Sequence, residues 1–361
     1  MNTSLLTIIA SNNIIDQAYA WLCHRRRNRQ ANDDVWHLRF HWPQVKQEIK
    51  SALLNGTYRF SPCRAVSTSA GSVGVWCAQD ALVLKAISLV LTEQLSPKLS
   101  PHCYHLTGKG LKACIREVKK DASAHHYVCR SDVNSYYATI NHEVLVTQLR
   151  DLIPDAALLE LIEQLLARLD DVGGNLYTVS TGINKGSPLS PLLGAIYLLQ
   201  MDKVLGEYCA KHDLRYYQRP RRADKKMDDW LILCNTRNQL RTAVRLMNRQ
   251  LDLVKQTKHP FKTYIGKIKE NGFDFLGYRV GKCKEQLGLA WKTWANHLTK
   301  LQQLYEHGAS QESIAGYVKR WLVWVKSGVK INLNNVIASG LESDLGQTLI
   351  RRYRVDALYL R

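Results

Sequence analysis

Two adjacent carboxylates, Asp228 and Asp229, stand directly after a basic stretch and directly before an apolar one, Trp230-Leu231-Ile232-Leu233. A β-rich run entered from a pair of acids reads as the return strand of a hairpin, with the acids in its tight turn. An isolated Asp-Asp pair reads as a solvated turn. A second apolar stretch changes the reading, because Tyr127-Val128-Cys129-Arg130-Ser131 runs straight into Asp132 and Val133. Two strands that deliver three carboxylates to one place require a sheet with acids gathered at its end. Such acids repel one another until cations neutralise them. A pair of divalent cations about 3.5–4 Å apart clamps the attacking and leaving oxygens of a phosphoryl transfer.

The rest of the composition agrees with a polyanionic partner. The 361 residues, enough for two or three domains, hold 50 lysines and arginines against 31 acids, a net charge of +19. Nucleic acid is the commonest partner of so basic a chain, with an anionic membrane surface or mere solubility as alternatives. There is no run of 18 apolar residues to span a bilayer, and the first ten residues lack the basic start of a secretory signal. Nine cysteines without a Cys-x-x-Cys pair argue for reduced thiols, no zinc site and a cytoplasmic location.

Five blocks, in order, resemble bacterial reverse transcriptases of the group II intron and retron kind. Ser131–His142 looks like the first catalytic block. Gly182–Leu192 looks like the Gly-Ser-Pro-Leu-Ser-Pro block, and Met227-Asp228-Asp229-Trp230 like the second catalytic block. His259–Thr263 and Gly272–Tyr278 look like two later blocks, so the likeness covers roughly residues 60 to 280. The resemblance implies an α+β right-hand polymerase: an N-terminal helical extension (1–57), fingers (58–125), a palm of antiparallel sheet plus helices carrying the aspartates (126–285), and a helical thumb (286–361). It implies an RNA-directed DNA polymerase that adds dNTPs to the 3′-hydroxyl of a DNA or RNA primer on an RNA template. Two Mg²⁺ ions, or Mn²⁺ in substitution, would be held by Asp132, Asp228 and the Val133 carbonyl, with Asp229 a weaker participant. Tyr137 would lie under the sugar of the incoming nucleotide and exclude a 2′-hydroxyl. Lys185, Gly186, Lys262, Arg64 and Lys85 would meet the nucleotide, Lys262 near the leaving pyrophosphate.

Two departures from the family pattern stand out. Lys185 replaces a glutamine that many relatives carry, offering a point charge instead of an amide. Lys226 stands where relatives have a tyrosine, and Pro220–Lys226 inserts four basic residues, among them Arg221 and Arg222, beside the catalytic turn. That insertion reads either as a loop that grips primer or template, or as a distortion of the hairpin.

The remaining elements follow from periodicity and caps. A helix is expected over 12–29, ending in Arg25, Arg26 and Arg27, which read as RNA backbone contacts or as a solvated helix end. Another begins at Trp42-Pro43 and runs to about Leu54. Short strands and turns follow to Trp76, with Ser69–Gly74 a flexible loop, then a long apolar helix from Asp80 to about Leu95. Lys109, in a glycine-rich basic stretch without Walker spacing, reads as a phosphate contact or as plain loop. Helices are expected at 142–152 and 155–169, and a turn with solvated acids at Asp170–Gly174. A helix capped by Ser187 should run to about Tyr208, and one capped by Thr236 over about 237–257. Phe273, Phe275, Trp321 and Trp324 read as core, and Arg351 and Arg352 as contacts to a duplex backbone.

Competing functions remain open at this point. The chain reads as an RNA-directed DNA polymerase or as an RNA-binding maturase or scaffold with an inactive or incidental site, while Tyr137 disfavours an RNA-templated RNA polymerase. A role in phage defence, in a retron-like system with a dedicated non-coding RNA, or in a mobile element is not distinguished by sequence.

Overall fold

Trp230–Leu233 holds no polar side chain because its strand is buried from both sides. Trp230, Ile232 and Cys234 enter one apolar core, while Leu231 and Leu233 enter another. Alternate residues of a strand point to opposite faces, so burial of both faces erases the polar alternation of a half-exposed strand. The computed structural model describes residues 4–68, 71–100, 110–218, 229–268, 272–281, 287–327, 329–331, 337 and 341–359.

The chain opens with α1 (Leu5–Ile9), α2 (Asn12–Arg25), α3 (Asp34–Phe40) and α4 (Trp42–Leu54). The hairpin β1 (Cys63–Thr68) and β2 (Gly71–Val75) leads into α5 (Ala78–Leu95) and then α6 (Gly110–Ala122). Next come β3 (Tyr127–Asp132), α7 (Tyr136–Thr139), α8 (His142–Leu152) and α9 (Ala156–Leu166), followed by β4 (Leu169–Val172) and β5 (Asn175–Thr178). α10 (Ser190–Tyr197) and α11 (Leu199–Lys211) precede β6 (Arg215–Gln218), β7 (Asp229–Cys234) and α12 (Arg237–Leu253). The last part holds β8 (Tyr264–Lys267), β9 (Phe273–Phe275), β10 (Tyr278–Val280), β11 (Leu287–Leu289), α13 (Trp291–Glu306), α14 (Gln311–Lys326) and α15 (Asp344–Tyr353).

Helices and mainly antiparallel sheets make this an α+β fold, as expected. The central sheet has the order β6-β7-β3-β8, all antiparallel. A second sheet, β2-β1-β4-β5, contains one parallel pair, β1 with β4. The third is β11-β10-β9. One core gathers α2, α5 and α8 to α12 on one side of the central sheet; the other gathers α6, the β9–β11 sheet and the C-terminal helices on the other side. α5 is buried nearly all round, which matches its unbroken apolar sequence. Thr236 closes a capping box with Gln239 at the start of α12, and Pro43 sits in the first turn of α4. Among the described residues no helix is long and apolar enough to cross a membrane.

Several expectations are corrected. Residues 71–74, expected to belong to a flexible loop, lie in β2, which is paired along its length with β1. α9 stops at Leu166, and the expected turn at 170–174 is a hairpin: Gly173 and Gly174 take φ of 64° and 92°, and β4 adds alongside β1. Its acids are half-buried, with Asp170 paired to Arg168 at 3.0 Å. The helix expected from Ser187 begins at Ser190, where Ser190 Oγ donates to the Asn184 carbonyl (2.5 Å) and Ser187 Oγ accepts from Leu189 N within a preceding turn, and it breaks at Leu198. Phe273 and Phe275 are buried, and Trp321 and Trp324 pack against His297 and Tyr278, as core residues.

Candidate active site

β3 ends on Asp132 and β7 begins on Asp229, and the register sets these two residues directly opposite each other. Facing residues on antiparallel neighbours project to the same side, with Cβ atoms about 4.5–5.5 Å apart. Two like charges so placed repel, which disfavours the arrangement without a cation. The tight turn expected at the acids is corrected. β6 ends at Gln218, paired with Trp230, so ten residues (219–228) separate the two strands of the hairpin. Asp228, Arg221 and Arg222 lie among them, outside the described residues, as does Lys109.

Asp132 is 3% exposed. Its Oδ2 accepts a hydrogen bond from Lys262 Nζ at 2.5 Å, while its Oδ1 is buried and meets no donor among the described residues. An ionised oxygen buried without a partner is costly, and a divalent cation is a partner that hard oxygens suit. The backbone beyond Asp132 fits the same use. His259 N donates to the Asp132 carbonyl (2.7 Å) and Asn134 N donates to the Thr257 carbonyl (2.9 Å), so the bridge between Val133 and Lys258 leaves the Val133 carbonyl outside it. Among the described residues no backbone hydrogen bond reaches that carbonyl. Also among the described residues, no three His, Cys, Asp or Glu side chains gather around one point. The oxygens assembled there are two carboxylates and one carbonyl.

Lys262 is held in place by residues that sequence reasoning passed over. Arg130 donates to the Asp274 carbonyl (2.6 Å) and to the Lys262 carbonyl (3.4 Å). Ser131 Oγ and Thr263 Oγ1 lie 2.8 Å apart, and Thr263 Oγ1 also donates to the His259 carbonyl. A guanidinium inside an apolar strand must find acceptors, and that was the signal available at Arg130. Beneath β6, Asp202 of α11 accepts from Tyr216 Oη at 2.5 Å, and burial pushes its carboxyl up to about 7.

Tyr137 sits on α7, 6% exposed, with its ring 5.7 Å from that of Tyr136. The loop that follows α7 in space is bound to it. Ile183 N donates to the Tyr137 carbonyl and Gly182 N to the Ile140 carbonyl, both at 2.7 Å. Asn184 then joins this loop to the β1–β2 hairpin. Its Nδ2 donates to Cys63 Sγ (2.7 Å) and its Oδ1 accepts from Gly186 N (2.6 Å). Gly186, read from the sequence as room for template or nucleotide, is bare for a nearer reason: a Cβ there would lie 1.8 Å from the Gly74 carbonyl oxygen of β2. Lys185 beside it is half-buried.

The other basic candidates divide. Arg64 is exposed on β1, next to Cys63. Lys85 is corrected: its ammonium lies over the Trp21 ring of α2 (5.6 Å), and burial lowers its pKa. Arg26 is also corrected, because its guanidinium is spent internally on Asp33 (3.3 Å), Asp34 (2.7 Å) and the Trp76 carbonyl (2.6 Å). Arg25, Arg27, Arg351 and Arg352 are exposed.

Comparison with known proteins gives one family. A family model described as reverse transcriptase (RNA-dependent DNA polymerase) matches residues 78–280, more than half of the chain. The chain is 23% identical over 215 residues to the putative COX1/OXI3 intron 1 protein of Saccharomyces cerevisiae, covering 58% of this chain and 26% of that protein. It is 23% identical over 177 residues to the group II intron-encoded protein LtrA of Lactococcus lactis subsp. cremoris, covering 47% and 29%. Protein YkfC of Escherichia coli is 24% identical over 172 residues, 45% of each chain. The chain therefore spans less than half the length of these relatives. Among solved structures, a chain of a partial Cas6-RT-Cas1–Cas2 complex matches 70% of this chain and 42% of its own, with 24% identity and a TM-score of 0.42.

Proposed function

This chain belongs to the reverse transcriptase family, and on that premise we propose that it is an RNA-directed DNA polymerase that extends a primer on an RNA template. The observation that carries the reading is the placement of Asp132 opposite Asp229, with one Asp132 oxygen buried and without a partner among the described residues. Asp132, Asp228 and the Val133 carbonyl would hold two Mg²⁺, with Asp229, which faces Asp132 across the sheet, a weaker participant. When bound, the ions neutralise the carboxylates and the charge of the reacting triphosphate.

The primer 3′-hydroxyl attacks the α-phosphate of a dNTP; a P–O bond forms there, the bond to pyrophosphate breaks, and the hydroxyl proton passes to solvent water. Lys262, which donates to Asp132, would offer its ammonium to the departing pyrophosphate. Tyr137 lies under the sugar and keeps a 2′-hydroxyl out. Arg64, Lys185 and Gly186 line the approach of the nucleotide, since Asn184 ties the Gly186 turn to the β1–β2 hairpin. Under this reading residues 58–125 are fingers, 126–285 palm and 286–361 thumb, after an extension over 1–57. Arg25, Arg27, Arg351 and Arg352 are exposed where a nucleic-acid backbone can reach them.

Primer extension tests the proposal. With RNA template, dNTPs and Mg²⁺ the chain should extend a primer, EDTA should stop it, and Asp132→Asn and Asp228→Asn should each lower the rate by about a hundredfold or more. Extension that survives both substitutions removes the metal assignment. A second reading, an RNA-binding scaffold with an incidental site, draws on the basic stretch Pro220–Lys226 in the connection between β6 and β7. Tight RNA binding with no extension under any divalent metal would favour it.

A further inference from the structure

α12 carries Arg237, Arg241, Arg245 and Arg249, one every four residues. Residues at that spacing lie one above another on a single helix face, about 6 Å apart along the axis. All four are exposed, and among the described residues no carboxylate pairs with any of them. Asp252 is the one acid on the helix. Like charges stacked this way oppose helix formation, so the ladder works against its own helix unless something anionic lies on it.

What lies in front of the ladder is a groove. Arg237, Arg241 and Arg245 form one wall, and Tyr127, Ile265 and Lys267 belong to the other, around a space of about 870 Å³ with no acid in its lining. Among the described residues β8, which carries Ile265 and Lys267, is an edge strand paired only with β3. Its outer backbone groups face away from the sheet. The groove is remote from the acids. Tyr127 and Asp132 are the two ends of β3, five residues apart, or roughly 17 Å along a strand.

We propose that this groove is a second nucleic-acid site, separate from the catalytic acids, that binds the phosphodiester backbone of single-stranded RNA along the α12 arginines. Guanidinium forks suit phosphate oxygens, and the backbone amides at a strand edge can supply further donors to phosphate. The Tyr127 ring gives a splayed base a surface to stack on, the mode by which single strands are held. The groove sits between one helix and the edge of the central sheet. The inference does not depend on polymerase activity, since an RNA-binding scaffold would use the groove equally.

The test is binding without dNTPs, using the full chain and a short fluorescein-labelled oligouridylate in fluorescence anisotropy across a salt series. The paired substitution Arg241→Gln with Arg245→Gln should weaken binding about tenfold and reduce the log–log salt slope by about 1.4, the loss of two single-strand phosphate contacts. Lys267→Gln, on a different element, should shift both in the same direction by a smaller amount. 4-Thiouridine in the same oligonucleotide should crosslink to Tyr127. Asp132→Asn, which ends extension under the polymerase reading, should leave the groove crosslink unchanged, so failure of one proposal is distinguishable from failure of the other. Unchanged affinity and slope in the arginine variant, with no crosslink at Tyr127, would overturn the site. Displacement of the RNA by polyglutamate of equal charge would also overturn it, and would assign the groove to an acidic protein.

Discussion

Lys262 Nζ lies 2.5 Å from Asp132 Oδ2, and the two residues are 130 positions apart in the chain. The ammonium supplies positive charge at the carboxylate that the proposed cations would use. Lys262 and a metal therefore compete for the same carboxylate. Replacing Lys262 with methionine should lower the Mg²⁺ concentration needed for half-maximal extension and also lower the maximal rate by about a hundredfold, the loss of a proton donor. Mg²⁺ titration of primer extension reads both. A fall in rate with no change in the Mg²⁺ midpoint would mean that the ion pair has no part in metal loading.

Gly186 and Gly74 touch through backbone, and the consequence is a stability effect with no ligand present. Gly186→Ala should cost about 1–3 kcal/mol, because the new methyl meets a carbonyl oxygen that belongs to a paired strand. Urea unfolding of the free chain measures it. Unchanged stability would return Gly186 to the role first read from the sequence, clearance for nucleotide or template alone.

Tyr137 should govern sugar selection. Tyr137→Ala should raise rNTP incorporation on an RNA template by about tenfold or more, while Tyr137→Phe should keep the wild-type preference, since the ring and not the hydroxyl fills the space. The alanine variant also leaves a cavity in the core around Tyr136 and Tyr197. The ratio of rNTP to dNTP use, not the absolute rate, is the quantity to compare.

His297 makes the C-terminal core acid-sensitive. It is stacked on Trp321 at 3.7 Å, with Tyr317 and Tyr359 hydroxyls on its two ring nitrogens, and burial lowers its pKa to about 3. The unfolded chain takes up this proton near pH 6.5, and the folded chain holds it off until about 3. Between those values the unfolded state binds more protons, so stability falls as pH falls, by up to about 1.4 kcal/mol per unit. Above pH 6.5 this contribution is complete and flat. Urea midpoints at pH 7, 5 and 4, followed by tryptophan fluorescence, should show the slope, and His297→Gln should reduce it.

Legibility in the sequence followed the range of the interactions involved. Strand β3 into Asp132, the start of α4 at Trp42-Pro43 and the Thr236 cap were readable because caps and apolar runs are local signals. The β4–β5 hairpin was missed because its stabilising partner, β1, lies about a hundred residues upstream, and nothing local distinguishes Asp170-Asp171 in a strand from the same pair in a turn. Arg26 looked like part of an exposed basic cluster; only the fold brings Trp76 and Asp34 around it. At the site, Asp132 was visible as a carboxylate ending an apolar strand, whereas the Lys262 contact and the Arg130 brace depend on a loop returning from 130 residues away. The departure at Lys226 marked the place where the hairpin differs, without giving the length of the connection between its strands.

The strand that bears Asp229 is wedged between two separate apolar cores, one built largely from the first two-thirds of the chain and the other from its last third together with α6. Excising a minimal catalytic fragment is therefore unfavourable on either side. Trimming away α13 to α15 would open the core that Leu231 and Leu233 enter, and trimming α1 to α5 would do the same to much of the opposite core. Such pieces should emerge from size-exclusion chromatography as aggregates even though both acids remain in them.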